Sequence, residues 1–215
     1  MSFPDFNASD AHIQWQRFCD LSWYHDDLGV WLDISRMHVN ATDLQQLQPR
    51  MDKAFAAMQE LEAGAIANPD EQRQVGHYWL RTPELAPSSE LQQHISREID
   101  LIAAFGRDVI NGTIKAPNGE AFTDVLWIGI GGSGLGPALM IKALQNPGEG
   151  LPFHFFDNVD PNGMSNVLAG LEGRLDRTLV VTVSKSGSTP EPHLGMEQAR
   201  LRLEAAGGQW AGQAV

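Results

Sequence analysis

The chain has 215 residues, a formal net charge of -12, 42% hydrophobic residues and a single cysteine. This hydrophobic content is that of an ordinary globular protein, and the length suggests one or two domains. The acidic charge argues against nucleic-acid and anionic-membrane partners, because those surfaces attract clustered positive charge. The lone cysteine, the lack of a visible signal peptide and the lack of an apolar run of ~18 residues predict a soluble, cytoplasmic protein.

Residues 1–118 have the pattern of a mostly helical segment, with one short extended piece at residues 29–34. The spacing of Thr42 and Gln45 is that of a capping box, which predicts a helix start. Pro49 predicts a break soon afterwards, because proline removes a backbone hydrogen bond. A longer amphipathic helix is then predicted from apolar residues at helical spacing, namely Met51, Phe55, Met58, Leu61 and Ala65.

A second amphipathic helix is predicted to begin at another capping box, formed by Ser89 and Gln92. Its apolar face carries Leu91, Ile95, Ile99, Ile102, Phe105 and Val109. The pair Asn111-Gly112 can adopt positive φ and is expected to end the helix. The polar, turn-rich residues 115–119 predict a domain boundary between residues 118 and 119.

Residues 119–215 change to an alternation of strands and helices. Continuous apolar runs predict strands buried on both faces at 125–130, 153–156 and 179–183. Each strand is followed by a predicted helix, at 137–144, 164–171 and 190–206. This order predicts parallel strands with right-handed crossovers, and therefore an α/β fold with an open, doubly wound parallel sheet.

The last residues, Gln213-Ala214-Val215, have the pattern of the beginning of a fourth strand. A sheet of three strands would leave an apolar, unpaired edge, which folded proteins avoid. The chain is therefore expected to be the N-terminal piece of a longer protein, or to be completed by another chain. On this interpretation residues 119–215 form only the first part of their domain.

Two loops of unusual composition follow predicted strands, at the edge where open parallel sheets bind ligands. The first is glycine-rich and covers residues 129–136 (GIGGSGLG). Its glycines let backbone amides approach a ligand, and the following helix adds its positive end. The spacing of Gly129, Gly131 and Gly134, with Asp157 after the second strand, also matches a dinucleotide fingerprint. A tight strand-to-helix turn without a ligand is a further alternative.

The second loop is hydroxyl-rich and covers residues 184–191 (SKSGSTPE). Thr189 is predicted as the N-cap of the next helix and Pro190 as its first residue. A dianionic phosphate there can accept hydrogen bonds from hydroxyl and amide groups while it faces the helix dipole. Together the two loops favour a sugar monophosphate over NAD, since a dinucleotide site has no need of a hydroxyl-rich loop after its third strand. No cofactor and no metal are expected.

Two segments, residues 125–137 (VLWIGIGGSGLGP) and 183–192 (VSKSGSTPEP), together resemble the glucose-6-phosphate isomerase family. Residues 77–87 (HYWLRTPELAP) resemble the lead-in of its bacterial members. The resemblance implies an SIS-type (sugar isomerase) fold of three α/β/α layers. It also implies reversible conversion of glucose 6-phosphate to fructose 6-phosphate, a step of glycolysis and gluconeogenesis. The substrate phosphate would be bound by Ser184, Lys185, Ser186 and Thr189, with Gly132 and Ser133 lining the same pocket.

The resemblance further implies an aldose–ketose isomerase, which is an intramolecular oxidoreductase and a homodimer in its full-length form. A glutamate base, an arginine, a histidine and a lysine perform the chemistry, and in the family they lie further along the chain than Val215. The chain alone is therefore expected to be inactive, and neither Glu191 nor His193 is assigned as a catalyst. His154 is interpreted as a paired histidine of the core. The alternatives are a non-catalytic SIS-type sugar-phosphate sensor and an NAD-binding Rossmann enzyme.

Overall fold

The computed structural model describes residues 3–146 and 148–215. The helices are α1 (Ala11–Leu21), α2 (Ala41–Glu62), α3 (Ser89–Ile110), α4 (Gly132–Leu144), α5 (Pro161–Gly170), α6 (Pro190–Ala205) and α7 (Trp210–Gln213). The strands are β1 (Ser22–His25), β2 (Val30–Asp33), β3 (Ile66–Asn68), β4 (Arg73–Gln74), β5 (Asp124–Ile128), β6 (Phe153–Phe156) and β7 (Thr178–Thr182). Short 3-10 helices cover His77–Leu80, Pro83–Leu85 and Leu175–Arg177. None of the helices in the described residues is long and apolar enough to cross a membrane.

The chain forms two compact units, Met1–Ser96 and Arg97–Val215. The division between them falls inside α3. The predicted domain boundary, between residues 118 and 119, lies instead in the turn region that follows this helix. The domain assignment of 1–118 and 119–215 stays a prediction.

The first unit is mostly helical, as predicted, but it also contains two small antiparallel hairpins, β1–β2 and β3–β4. The expected extended piece at 29–34 is confirmed by β2. Its partner β1 was not predicted, since Trp23 and Tyr24 also fit a helical apolar stripe. Aromatic residues favour strands and pair well across a hairpin, as Tyr24 does with Trp31.

The predicted helix starts in the first unit were wrong by one or two residues. The capping box of α2 joins Asn40 and Asp43, because the Asp43 amide donates to Asn40 Oδ1 (3.0 Å) and the Asn40 amide to Asp43 Oδ2 (2.8 Å). The start of α3 is capped by Ser88, whose hydroxyl accepts from the Leu91 amide at 3.2 Å. Pro49 lies inside α2 and does not end it, since strong helix formers follow it.

The second unit is built on a parallel sheet with the strand order β6-β5-β7. The predicted α/β class with parallel strands is confirmed. After α7 the chain runs beside β7, where a fourth strand was expected: Ala214 forms an isolated parallel bridge with Val180, and the Thr182 amide donates to the Val215 carbonyl at 2.9 Å. Gln213 itself still belongs to α7.

Helices cover both faces of this sheet, which gives the three layers. Side chains alternate between the faces along each strand. The main core lies on the α5 and α6 side and contains Leu126, Ile128, Phe156, Leu168, Leu171, Leu175, Val180, Ala199 and Leu203. On the other face Leu179 packs with Val109 of α3 and with Phe122. Parallel strands buried in this way have continuous apolar sequences, which explains why they were predictable.

The amino-terminal end of the sheet holds a buried polar cluster around Asp124, which has no solvent exposure. Its carboxylate accepts hydrogen bonds from Arg174 Nη1 at 2.7 Å and from Thr123 Oγ1 at 2.8 Å. His154 Nε2 lies 2.8 Å from the same carboxylate. The cluster joins β5 to β6 and to the segment before β7. His154 is paired, as expected, but its side chain is 24% exposed rather than buried in the core, and it lies towards the opposite end of the sheet from the two loops.

Candidate functional site

The glycine-rich and hydroxyl-rich loops start side by side at the carboxyl end of the sheet. Ile128, the last residue of β5, pairs with Thr182, the last residue of β7. The Val183 amide then donates to the Ile128 carbonyl at 2.8 Å. The two loops therefore leave neighbouring strands at the edge where open α/β sheets bind ligands.

The hydroxyl-rich loop gathers its side-chain oxygens into one cluster. Thr189 Oγ1 lies 3.4 Å from Ser184 Oγ and 3.3 Å from Ser186 Oγ. Ser188 Oγ donates to Ser186 Oγ at 3.1 Å. These distances exceed the about 2.7–2.8 Å of a good O–H···O hydrogen bond. The hydroxyls thus bond weakly to one another and can exchange these contacts for stronger hydrogen bonds to an anion.

The backbone of this loop is folded by its own side chains. The Gly187 amide donates to Ser184 Oγ at 3.0 Å, and the Ser188 amide donates to Ser186 Oγ at 3.2 Å. Gly187 has a φ of +71°, a conformation that glycine adopts without strain. These hydrogen bonds within the loop fix its backbone conformation.

Helix α6 begins as predicted, with Thr189 as N-cap and Pro190 as first residue. The Thr189 side chain makes no capping hydrogen bond, because its hydroxyl turns towards the serines. Pro190 and Pro192 have no amide hydrogen, so the first turn of α6 presents few amide donors. At the start of α6 the hydrogen-bond donors are therefore mainly the serine and threonine hydroxyls.

Lys185 places an ammonium group in the same loop, between Ser184 and Ser186. Its side chain is exposed, and in the part of the chain that the structure describes it forms no salt bridge. A local positive charge in a protein of net charge -12 favours an anionic ligand at this loop.

The glycine-rich loop is shorter than predicted, because α4 already begins at Gly132 rather than at Pro137. Gly131 is its N-cap, with a φ of +56°, and the Leu135 amide donates to the Gly131 carbonyl at 2.8 Å. The predicted start at Pro137 was wrong because glycine has a low helix propensity, so residues 132–136 did not have the pattern of a helix. Gly132 and Ser133 are therefore the first two residues of a helix that points its amino end at the sheet edge.

Packing requires two of the glycines in residues 129–136 but not Gly132. A Cβ on Gly129 would lie 2.6 Å from the Ser133 carbonyl oxygen, and a Cβ on Gly134 would clash with the Gly129 carbonyl oxygen. The close approach of α4 to β5 therefore requires both glycines. A Cβ on Gly132 would meet no atom within 4 Å. The space beside Gly132 is therefore open, which leaves room for a ligand next to this residue.

Two matched alanine substitutions separate these roles. We expect Gly134→Ala to lower the free energy of unfolding by about 1–3 kcal/mol, because the added methyl group pushes α4 away from β5. Gly132→Ala should not lower stability in urea denaturation, since alanine is the better helix former, but it should weaken binding of a phosphate ligand in calorimetry. Equal ligand affinity in Gly132→Ala and the unchanged chain would show that no ligand approaches this position.

A cleft of about 420 Å³ lies beside the hydroxyl-rich loop. Its lining includes Ser184, Gly187 and Thr189, together with Thr182 and Trp210, which were not predicted as site residues. The Thr182 hydroxyl is buried and has no hydrogen-bond partner among the described residues. The hydroxyl contacts bring Ser184, Ser186 and Thr189 together, but Lys185 and Ser186 do not line this cleft.

Gly132 and Ser133 share the sheet edge with the hydroxyl-rich loop but do not line the cleft beside it. A larger groove of about 1030 Å³ lies between α3 and α4, and its lining includes Ile102 of α3 and Leu144 of α4. Its lining is almost entirely apolar, so it offers no set of donors for a phosphate. Residues 3–146 and 148–215 contain no group of three His, Cys, Asp or Glu side chains placed to hold a metal ion.

An open parallel α/β sheet with a glycine-rich and a hydroxyl-rich loop at neighbouring strand ends is the arrangement of an SIS-type α/β fold. The family model described as phosphoglucose isomerase matches residues 33–213. The chain therefore belongs to the phosphoglucose isomerase family, which confirms the resemblance found in its two loops.

Individual relatives agree with this assignment. The glucose-6-phosphate isomerase of Synechococcus sp. (strain CC9605) is 98% identical over the whole chain, and that of Prochlorococcus marinus (strain MIT 9313) is 74% identical. A crystal structure of a glucose-6-phosphate isomerase from Chlamydia trachomatis matches with a TM-score of 0.75 and 28% identity, over 99% of this chain and 41% of that one. The chain spans about 40% of the length of the curated relatives it matches.

Proposed function

We propose that this chain is the phosphate-binding part of an enzyme that reversibly converts glucose 6-phosphate to fructose 6-phosphate. Membership of the phosphoglucose isomerase family and the names of its relatives support this activity. The observation that carries the proposal is the hydroxyl cluster around Thr189, at a strand end adjacent to the amino end of α4. Weakly bonded hydroxyls beside a helix start suit a dianionic monophosphate.

In this proposal the hydroxyls of Ser184, Ser186 and Thr189 donate to the phosphate oxygens. The ammonium group of Lys185 balances part of the negative charge. Gly132 and Ser133 border the sugar phosphate from the neighbouring loop, where the Gly132 amide at the start of α4 faces it. The phosphate group does not react, but its binding holds the sugar in a fixed orientation. Enzymes commonly use binding energy from a non-reacting part of the substrate in this way.

The isomerisation itself transfers a proton between carbons 2 and 1 of the opened sugar and needs a base placed against those carbons. We assign this chemistry to the part of the relatives' chain that the present sequence does not cover. Glu191 lies in the first turn of α6, where a carboxylate is favourable for its interaction with the helix dipole alone. The family resemblance also supports a cytoplasmic homodimer that acts in glycolysis and gluconeogenesis.

A chimera tests the activity. The present 215 residues would replace the matching segment of the Synechococcus sp. (strain CC9605) relative, and conversion of fructose 6-phosphate to glucose 6-phosphate would be followed in a coupled assay. We expect turnover by the chimera, and binding of glucose 6-phosphate without turnover by the isolated chain. A chimera that binds the sugar phosphate but never converts it would support a sensor and contradict the proposal. NADH binding without glucose 6-phosphate binding would favour a dinucleotide site.

A further inference from the structure

Helix α4 contains a proline, Pro137, in its second turn. In a regular α-helix the carbonyl of Ser133 accepts a hydrogen bond from the amide four residues later. That residue is Pro137, which has no amide hydrogen and whose ring crowds the carbonyl of residue 133. The Ser133 carbonyl therefore lacks its usual backbone donor.

The side chain of Trp127 supplies the missing donor. Its indole Nε1 donates to the Ser133 carbonyl oxygen at 2.8 Å. Trp127 lies on β5, and its ring packs at 6.4 Å, centroid to centroid, from that of Phe153 on β6. The same oxygen lies so close to Gly129 that a Cβ there would be 2.6 Å from it. The carbonyl is thus held between a sheet side chain and the sheet backbone.

We propose that Trp127 is a positioning residue for the glycine-rich loop. By binding the Ser133 carbonyl, the indole fixes the peptide group that joins Ser133 to Gly134, and with it the direction of the first turn of α4. Gly132 and Ser133 are then oriented by the sheet rather than by the helix alone. The effect on ligand affinity rests on the proposed function, in which these two residues border the sugar phosphate.

Four variants of the 215-residue chain test this role: Trp127→Phe, Pro137→Ala, the combination of both, and Trp79→Phe as a control. Trp127→Phe keeps an aromatic ring and removes the N–H group. In the combined variant the substitution Pro137→Ala supplies a backbone amide to the Ser133 carbonyl. Trp79 makes the same kind of bond, from its Nε1 to the Glu62 carbonyl at 2.9 Å, in the first unit. The loss of this bond in Trp79→Phe should lower stability but leave the glycine-rich loop unchanged.

We expect Trp127→Phe to bind glucose 6-phosphate about 3- to 10-fold more weakly, as befits the loss of one neutral hydrogen bond. The amides of Gly134 and Leu135 should exchange hydrogen faster by a similar factor. Adding Pro137→Ala to Trp127→Phe should restore both the ligand affinity and the exchange rates. Trp79→Phe alone should change neither of these quantities. Unchanged affinity in Trp127→Phe, or failure of the combined variant to recover, overturns the proposal. If the unchanged chain binds no glucose 6-phosphate, the proposed function fails, and the exchange rates alone decide whether Trp127 holds the loop.

Discussion

Replacing Ser184 and Thr189 together by alanine is expected to weaken glucose 6-phosphate binding by about 100-fold or more. Each hydroxyl that donates to a charged phosphate oxygen contributes about 1.5–3 kcal/mol, and two are lost. The alanine side chains are smaller and lie at a partly exposed strand end, so the overall fold should tolerate them, while the loop itself loses the bond from the Gly187 amide to Ser184 Oγ. Isothermal titration calorimetry of the isolated chain measures the change.

The matched control for this double variant is Thr113→Ala combined with Ser165→Ala. It removes one threonine and one serine hydroxyl from exposed positions outside the two loops. This control should bind glucose 6-phosphate as the unchanged chain does. If the Ser184 and Thr189 double variant binds as tightly as the unchanged chain, the hydroxyl-rich loop does not bind the phosphate. Losses of the same size in both double variants would instead point to a general effect on folding.

Arg174→Met is expected to lower the free energy of unfolding by about 3 kcal/mol, near the lower end of the range for breaking a buried ion pair. It leaves the Asp124 carboxylate, which has no exposure, with only Thr123 and His154 as partners. The lower end applies because the Arg174 side chain is itself 40% exposed and partly solvated. Urea denaturation followed by circular dichroism measures the change.

Arg177→Met is the control for this prediction, because the two arginines lie in the same short segment but differ in their partners. Arg177 Nη1 binds Glu120 Oε2 at 3.0 Å, and the Glu120 side chain is 62% exposed. An exposed pair of this kind contributes about 0–1 kcal/mol. Similar losses in the two variants would show that burial of Asp124 does not govern the strength of the cluster.

The parallel sheet and the hydroxyl-rich loop could be predicted because each depends on local sequence. Strands buried on both faces need unbroken apolar runs, and a loop of hydroxyl residues after such a run lies at a strand end by topology alone. Thr189 and Pro190 occupy the predicted positions for the same reason. The two loops already favoured a sugar monophosphate, and the family resemblance then pointed to glucose 6-phosphate as the expected ligand.

The remaining features depend on tertiary context. The start of α4 at Gly132 was missed because packing against β5 stabilises a helix turn that glycine disfavours locally. Thr182 and Trp210 line the cleft only because α7 returns the chain to β7, a contact that spacing does not reveal. The bond from Trp127 to Ser133 had one sequence signal, Pro137 in a helix, but the signal does not identify the replacement donor.

The most direct test is a ¹⁵N NMR titration of the 215-residue chain with glucose 6-phosphate. If one phosphate is held from both strand ends, the amide signals of Gly132 and Ser133 should shift together with those of Ser184 to Thr189, with a single dissociation constant. Shifts confined to one of the two loops, or located in the apolar groove between α3 and α4, would contradict a shared phosphate site.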